Sequence, residues 1–417
     1  MSALTAADVA RIQRRTIGVL STAQVLGGVA FGATISLGAV LAAHVSGDET
    51  FSGLAAAAVT FGTALIAIPL AGLARRRGRR LSLSTGMLLA LVGVTLVVLA
   101  ASVRSFPLLL VAFLLVGGGQ AANLQSRFAA ADLATDASRG RDLSIVVWAT
   151  TIGAVLGPNL TGPGELLGDA IGMPPLTGPY VFTIVGQTLG IALYLVALRP
   201  DPLLTAQRVV AEASARSTAE RIAKPDQARV ARYAIFAVAA AHGVMVAVMA
   251  MTPVHLLHHG ATLTIIGITL SLHIAGMYAL APVFGILADR LGRIATILLG
   301  QLLIAAALVT ASFGQDSTSA VTIGLTLLGL GWSATTVAGS ALLTEASSEA
   351  RRTRRQGLSD FTMSMVGAIG AILAGVILGW IGYGGLSLLV SVAVVAVVAL
   401  APLGRAAMTA GRQQLSA

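Results

Sequence analysis

Long apolar stretches recur along the whole chain, separated by short segments that carry most of the charged residues. Residues 17–47, for example, contain no Lys, Arg, Asp or Glu. A helix needs about 20 residues to cross the roughly 30 Å hydrocarbon core of a bilayer, and these stretches have that length. They are continuously apolar, whereas the strands of a membrane barrel alternate between apolar and polar residues. The pattern therefore predicts an all-α integral membrane protein.

Twelve stretches are long and apolar enough to be transmembrane helices. We predict spans at 17–43, 50–74, 82–102, 107–127, 143–162, 178–198, 231–252, 262–288, 294–314, 318–344, 359–380 and 385–403. With the amino terminus in the cytoplasm, all but one of the 27 Lys and Arg residues lie in cytoplasmic segments or within two residues of them, the exception being Arg104. Because basic residues concentrate on the cytoplasmic side, this predicts a multi-pass protein of the cytoplasmic (inner) membrane with both termini inside.

A charged segment divides the predicted helices into two sets of six. We predict an N-terminal bundle over 1–198, a cytoplasmic linker over 199–230 that includes amphipathic helix, and a C-terminal bundle over 231–417. The composition agrees, since 56% of the 417 residues are hydrophobic, 11% are charged, and the mean hydropathy is +0.87. The net charge of +10 follows from the topology, so nucleic acid is not an expected partner. The absence of Cys excludes disulfides and thiolate metal ligands.

A turn motif occurs once in each half. Residues 71–80 read AGLARRRGRR and residues 285–293 read GILADRLGR, with the glycines at 78 and 292 separated by 214 positions. The second copy resembles the Gly-x-Leu-Ala-Asp-Arg-x-Gly-Arg signature of the major facilitator superfamily, whereas in the first copy Arg75 replaces the Asp. The resemblance implies two pseudo-symmetric six-helix halves that rock around a midplane site. It also implies a conformational role for Gly78, Gly285, Asp289, Arg290, Gly292 and Arg293. A plain cytoplasmic anchor remains the alternative for the first copy.

Histidine and methionine are the candidate functional groups inside the membrane. None of the six histidines lies in a predicted cytoplasmic loop. Helix seven carries Met245 and Met249, and helix eight carries His273 and Met277. Residues four apart share one face of a helix, so each pair presents its side chains together. Thioether sulfur is a soft ligand and imidazole a borderline one, a combination that suits Cu(I).

The spacing of these two motifs resembles that of the CcoA-like copper importers of the major facilitator superfamily. The first Met lies 28 residues before the His. The resemblance implies inward transport of copper with Met245, Met249, His273 and Met277 as the metal ligands. The two pairs differ in predicted depth, which favours a relay over one cage. The further candidates for this relay are His242 on helix seven and three outer-loop histidines, His255, His258 and His259.

Other interpretations stay open. Residues 153–162 resemble the Gly-Pro motif of antiporters, which favours drug or organic-cation efflux, although no carboxylate lies deep in the N-terminal half. The methionines could be core filler, a membrane His could be an interhelical contact, and Trp332 a packing or interface residue. A non-transporting sensor is a third hypothesis. No nucleotide-binding loop, catalytic triad or His-Glu-x-x-His site is present, so we expect that the protein is not an enzyme. We also expect a monomer with no cofactor, which carries copper only as cargo.

Overall fold

The computed structural model describes residues 5–48, 51–216 and 226–416, and it is helical through most of them. The helices are α1 (Ala6–Ser46), α2 (Ser52–Ser102), α3 (Phe106–Ala131), α4 (Arg139–Asn159), α5 (Thr161–Ala170), α6 (Tyr180–Ala197), α7 (Pro202–Arg216), α8 (Ala228–His258), α9 (Leu263–Tyr278), α10 (Ala281–Leu291), α11 (Arg293–Phe313), α12 (Thr318–Ala346) and α13 (Glu349–Ser416). Each of the twelve predicted spans coincides with helix over most of its length. The predicted all-α membrane fold is confirmed.

Length and apolarity support membrane crossing. Among the described residues, eight helical stretches are long and apolar enough to span a bilayer. Two of them, Leu54–Ser102 and Glu349–Pro402, have 49 and 54 residues, about twice the length that one crossing requires. Each of these two therefore accounts for two of the predicted spans.

The predicted connection at 75–81 is a sharp kink at Gly78 that divides α2 into two helices. Gly78 has φ of 86°, a left-handed value that a Cβ would penalise, and helical geometry resumes directly after it. Gly382 makes the corresponding break inside α13, with φ of 71°. Predicted span eight is divided between α9 and α10, and Pro282 follows the break, where its missing N–H costs no helical hydrogen bond. The first half of the predicted linker is helical, as α7.

The chain forms two compact units. The first comprises the described residues of Met1–Ala134 and Ala149–Arg221, and the second those of Thr135–Trp148 and Ile222–Ala417. The loop before α4 and the first turns of that helix thus belong to the second unit. In the first unit, α2 and α3 approach so closely that a Cβ at Gly62 would lie 2.0 Å from the Leu114 carbonyl oxygen. In the second unit, α8 packs along α13, and α12 packs along α8, α9 and α11.

Candidate metal site and its surroundings

His273, in the middle of α9, is completely buried. Its Nδ1 lies 2.7 Å from the Leu325 carbonyl oxygen on α12. A carbonyl oxygen only accepts, so Nδ1 donates the proton and Nε2 carries the lone pair. Among the described residues, Nε2 has no hydrogen-bond partner. A buried imidazole with one nitrogen fixed by a backbone carbonyl and the other free has the form of a metal ligand held by its outer hydrogen bond.

Close packing against α12 fixes the position of this imidazole. A Cβ at Gly329 would lie 2.4 Å from the His273 carbonyl oxygen and 3.2 Å from its Nδ1. On the next turn of α9, a Cβ at Gly276 would lie 2.8 Å from the Thr326 carbonyl oxygen. Only glycine permits the two backbones to approach this closely, so the orientation of the ring depends on these two positions.

Three predicted methionine ligands lie in one apolar cluster of the second unit. Met245 and Met277 are 2% and 7% exposed and belong to the same buried cluster, against which Met249 packs from a half-buried position. The two predicted pairs are carried by α8 and α9, which contact each other over only a short stretch, whereas α12 packs along both. Burial in a common cluster suits both soft ligands and core filler, so packing alone does not separate the two interpretations.

His242 joins an aromatic group on three helices. Its Nδ1 accepts a hydrogen bond of 3.1 Å from the indole Nε1 of Trp332 on α12. The ring of Tyr278 meets the edge of Trp332, with centroids 5.8 Å apart. His242 and Tyr278 are half-buried, while Trp332 is 4% exposed. The sequence predicts only a packing or interface role for Trp332 and contains no local signal for its hydrogen bond to His242.

The three outer histidines differ in their surroundings. His255 is buried, its Nε2 lies 2.7 Å from the Gln315 carbonyl oxygen, and its ring stacks on Tyr383 with centroids 4.3 Å apart. His259 is exposed and lies 3.5 Å from an Asp316 carboxylate oxygen. His258 is exposed. His255 therefore connects α8 to the loop after α11 and to the kink in α13.

The second-half turn motif binds the start of α4. The carboxylate of Asp289 accepts hydrogen bonds of 2.9 Å from the backbone N–H groups of both Gly140 and Arg141. An anion at this position stabilises a helix amino terminus through the unpaired N–H groups and the helix dipole. Arg293 forms ion pairs of 3.1 Å with both Asp289 and Glu345.

The remaining motif residues support this contact in different ways. A Cβ at Gly285 would lie 2.5 Å from the Gly140 carbonyl oxygen, so glycine is needed for the close approach. Gly292 has φ of 98° and turns the chain between α10 and α11. Arg290 is exposed. Within the second unit, Gly285, Asp289, Gly292 and Arg293 therefore form one turn.

The first-half turn binds partners that the local sequence does not indicate. Arg75 is exposed, and the backbone N–H of Arg80 donates to the carboxylate of Asp201, at 2.7 Å, just before α7. Arg79 forms a bidentate pair with Asp132 at the end of α3, at 2.8 and 3.2 Å, with both side chains fully buried. Gly78 leaves room for Asp201, because a Cβ there would lie 2.4 Å from its Oδ2. This copy is therefore more than a plain basic anchor.

Asp226, directly before α8, holds the start of α13. It accepts a hydrogen bond of 3.0 Å from the backbone N–H of Ser348 and pairs with Arg351 and Arg355 at 2.8 and 2.7 Å. Burial raises the pKa of the Asp226 carboxyl, but the bonds from Ser348 and Arg355 outweigh it and hold the pKa below its ordinary value.

Within the described ranges, no three His, Cys, Asp or Glu side chains converge as they would at a hard-metal site.

Curated relatives match along most of the chain. The uncharacterized MFS-type transporters YddS and YdeG of Bacillus subtilis are each 36% identical to it. The YddS match covers 88% of this chain and 85% of YddS, and the YdeG match covers 91% and 89%. The riboflavin transporter RfnT of Brucella anthropi is 29% identical over 88% of this chain and 90% of its own.

Solved structures show the same fold at low sequence identity. The human organic anion transporter MFSD10 has a TM-score of 0.75 at 16% identity, covering 93% of this chain and 99% of its own. The transporter FucP in the outward conformation has a TM-score of 0.63, also at 16% identity, covering 93% and 98%. The family model of the Major Facilitator Superfamily matches residues 19–268 and 234–413. With the two-unit helical fold and the turn motif in each half, these matches identify the chain as a member of the major facilitator superfamily of membrane transporters.

Proposed function

We propose that this transporter imports copper across the cytoplasmic membrane by alternating access, with both termini in the cytoplasm. The ligands would be Nε2 of His273 and the thioethers of Met245, Met249 and Met277. The observation that carries the proposal is the buried Nε2 of His273, which has no hydrogen-bond partner among the described residues while Nδ1 donates to a backbone carbonyl. Such an outer hydrogen bond orients a ligating imidazole and raises its basicity.

The chemistry of the ligand set favours Cu(I) and permits its release. Thioether and imidazole groups are neutral and soft or borderline, so they bind Cu(I) better than Mg²⁺ or Ca²⁺. They add no negative charge, and the chain has no Cys to supply a thiolate. A neutral set therefore binds the ion less tightly than thiolates would, which suits a site that must give up its cargo in each cycle.

The inward direction rests on the resemblance of the Met and His motifs to those of copper importers. Membrane topology rests on the concentration of basic residues in alternate loops. Rocking of two halves around a midplane site is the general mechanism of this fold, and the resemblance of the Asp289 motif to the superfamily signature implies a conformational role for it. We further propose that a monomer carries out transport.

A flavin or a related aromatic solute is the second candidate cargo. It is favoured by the 29% identity to the riboflavin transporter of Brucella anthropi and by the aromatic group of His242, Trp332 and Tyr278. A planar heterocycle could stack on Tyr278 and form a hydrogen bond with His242. This candidate does not require the thioether groups of Met245 and Met249.

Uptake by cells separates the two cargoes. A strain that lacks its own copper and riboflavin importers would express the wild type, His273→Leu or Tyr278→Ala at matched protein levels. Copper import predicts that cells with the wild type accumulate copper and that His273→Leu abolishes this accumulation. Riboflavin import predicts growth on low riboflavin that His273→Leu retains and Tyr278→Ala weakens. Unchanged copper content in wild-type and His273→Leu cells would reject the copper proposal.

A further inference from the structure

The two copies of the turn motif differ most in their charge. Residues 75–77 of the first copy are three consecutive arginines, at the positions that Asp289, Arg290 and Leu291 hold in the second copy. All three arginine side chains are exposed. Where the second copy offers a carboxylate that caps a helix, the first copy therefore presents three positive charges.

These three arginines form no ion pair in the part of the chain that the structure describes. Two carboxylates contact the residues that follow them, and both are already bound. Asp132 is held by Arg79 in a buried pair, and Asp201 is occupied by backbone N–H groups. An exposed guanidinium without a carboxylate partner keeps its charge and its five donors available for an external anion.

Asp201 fixes the helix α7 beside this arginine run. Its carboxylate accepts hydrogen bonds from the backbone N–H of Arg80 at 2.7 Å and from those of Leu203 and Leu204 at 3.0 and 3.2 Å. One side chain thereby caps the second helix of α2 and the start of α7. A Cβ at Gly78 would lie 2.4 Å from Oδ2 of this carboxylate, so α7 begins directly against the residue that follows the arginines.

The helix α7 has a buried side and an outward side. Leu203 and Thr205 are 3% and 6% exposed, whereas Leu204 and Val210 are 40% and 46% exposed. Arg208, between these two apolar residues, is also exposed. Predicted spans two and six end within a few residues of the Asp201 contact, and span three begins there, so α7 starts at the membrane surface. A helix that exposes apolar side chains together with a cation suits the boundary between headgroups and acyl chains.

We propose that the arginine run and the outward side of α7 form one binding surface for anionic lipid headgroups. We call it the basic surface, and its residues are Arg75, Arg76, Arg77, Leu204, Arg208 and Val210. Cations directly beside a transmembrane helix attract anionic lipids, and apolar side chains inserted among the headgroups keep the contact at the membrane. Glu212, one turn after Arg208, offsets only one of the four positive charges. The proposal goes beyond the cargo, and it rests on the proposed topology only in assigning the surface to the cytoplasmic leaflet.

Quenching by brominated lipid tests the basic surface in the full-length protein. The chain has no Cys, so Leu204→Cys provides a single attachment site for a fluorophore. The protein would be placed in vesicles of equal parts phosphatidylglycerol and phosphatidylcholine, with one of the two lipids brominated in each sample. Brominated phosphatidylglycerol should quench at least about twofold more strongly, because each arginine near the surface favours anionic lipid about fivefold. Both leaflets contain both lipids, so the result does not depend on topology.

Substitution of the arginine run separates charge from fold. With Arg75→Gln, Arg76→Gln and Arg77→Gln combined, the ratio of the two quenching efficiencies should fall close to one, while the thermal midpoint stays at the starting value. Replacement of the same three residues by Lys should retain the preference, since the charge is kept. A ratio that the Gln substitutions leave unchanged would overturn the proposal, as would a ratio near one before they are made.

The matched control is Leu291→Cys, labelled in the same way. Leu291 is 66% exposed at the corresponding turn of the second copy but follows Asp289 and Arg290, so its ratio should be near one. Inorganic phosphate added at constant ionic strength should leave the preference at residue 204 unchanged. Its loss would identify a site for a soluble anion and would contradict lipid binding. Quenching needs no cargo, so the basic surface and the proposed copper transport can fail independently.

Discussion

His273 and His255 have the same local hydrogen bond but different surroundings. Both are buried in the second unit, and each places one ring nitrogen 2.7 Å from a backbone carbonyl oxygen. The other nitrogen of His273 has no partner among the described residues, and the next turn of α9 carries Met277. The ring of His255 instead stacks on Tyr383, whose hydroxyl lies 3.0 Å from that of Thr252. One histidine keeps a buried ring nitrogen without a partner among the described residues, whereas the other joins structural elements.

The comparison shows that residue type and position in a span do not separate a ligand from a structural contact. Both histidines belong to the same predicted metal path. What differs is the set of neighbours supplied by helices distant in sequence. Substitutions of the histidines and of the thioether groups can therefore separate the two roles.

The largest effect is expected for His273→Leu. The substitution keeps an apolar side chain in the buried position but removes Nε2, so copper uptake should fall by about tenfold or more, the scale of changes to a metal ligand shell. The initial rate of copper accumulation, normalised to protein in the membrane, measures it. His255→Leu at matched protein level should reduce the rate much less, and equal losses in the two variants would remove the distinction.

The second prediction tests the thioether groups. Leu and Met have similar volumes, and exchanging them in a core usually costs less than about 1.5 kcal/mol. Met245→Leu combined with Met277→Leu should therefore keep the fold but lower copper uptake by about tenfold. The control is Met251→Leu, because Met251 packs against the same cluster but is not a predicted ligand. Similar uptake by the double variant and the control would identify these methionines as core filler.

The third prediction concerns the structural role of His255. His255→Phe retains a ring that can stack on Tyr383 but loses the hydrogen bond to Gln315. The free energy of unfolding should fall by about 1 kcal/mol, as for the loss of one buried hydrogen bond. A thermal unfolding assay in detergent measures the change. Copper uptake per folded molecule should be retained. A loss of uptake without a loss of stability would instead assign His255 a role in the copper path.

The smallest effect is expected for His258→Ala. This side chain is exposed at the end of α8, and exposed substitutions usually change stability by less than about 0.5 kcal/mol. The thermal midpoint and the copper uptake rate should both match wild type at saturating copper. A reduced rate that appears only at low copper concentration would instead assign His258 to capture of the ion.

Much of the fold could be predicted from the sequence because its signals are local. Apolar length determines the spans, basic residues their orientation, and the Gly-Arg turn marks the half-chain repeat. The connection predicted at 75–81 is present but shorter than predicted, because one left-handed glycine, Gly78, separates the two helices of α2 by a sharp kink. A hydropathy pattern does not distinguish a kink of this kind from a short loop.

The surroundings of the candidate site could be predicted only in part. The spacing of His273 and Met277 identifies a shared face, but the carbonyl partner of His273 lies 52 residues away on α12. His255 is bound by Gln315, 60 residues away, and stacks on Tyr383. In the first half, the Asp201 carboxylate accepts a hydrogen bond from the backbone N–H of Arg80, 121 residues away. Such partners are selected by tertiary packing and leave no local pattern.

The central claim is that His273 belongs to a path for copper, and flux into proteoliposomes tests it most directly. Purified wild type, His273→Leu and His255→Leu would be reconstituted at equal protein density, and entry of Cu(I) would be followed with an internal chelating probe. Copper transport predicts rapid entry with wild type, slightly slower entry with His255→Leu, and the rate of empty vesicles with His273→Leu. Entry at the wild-type rate with His273→Leu, or no entry above empty vesicles with wild type, would contradict the claim.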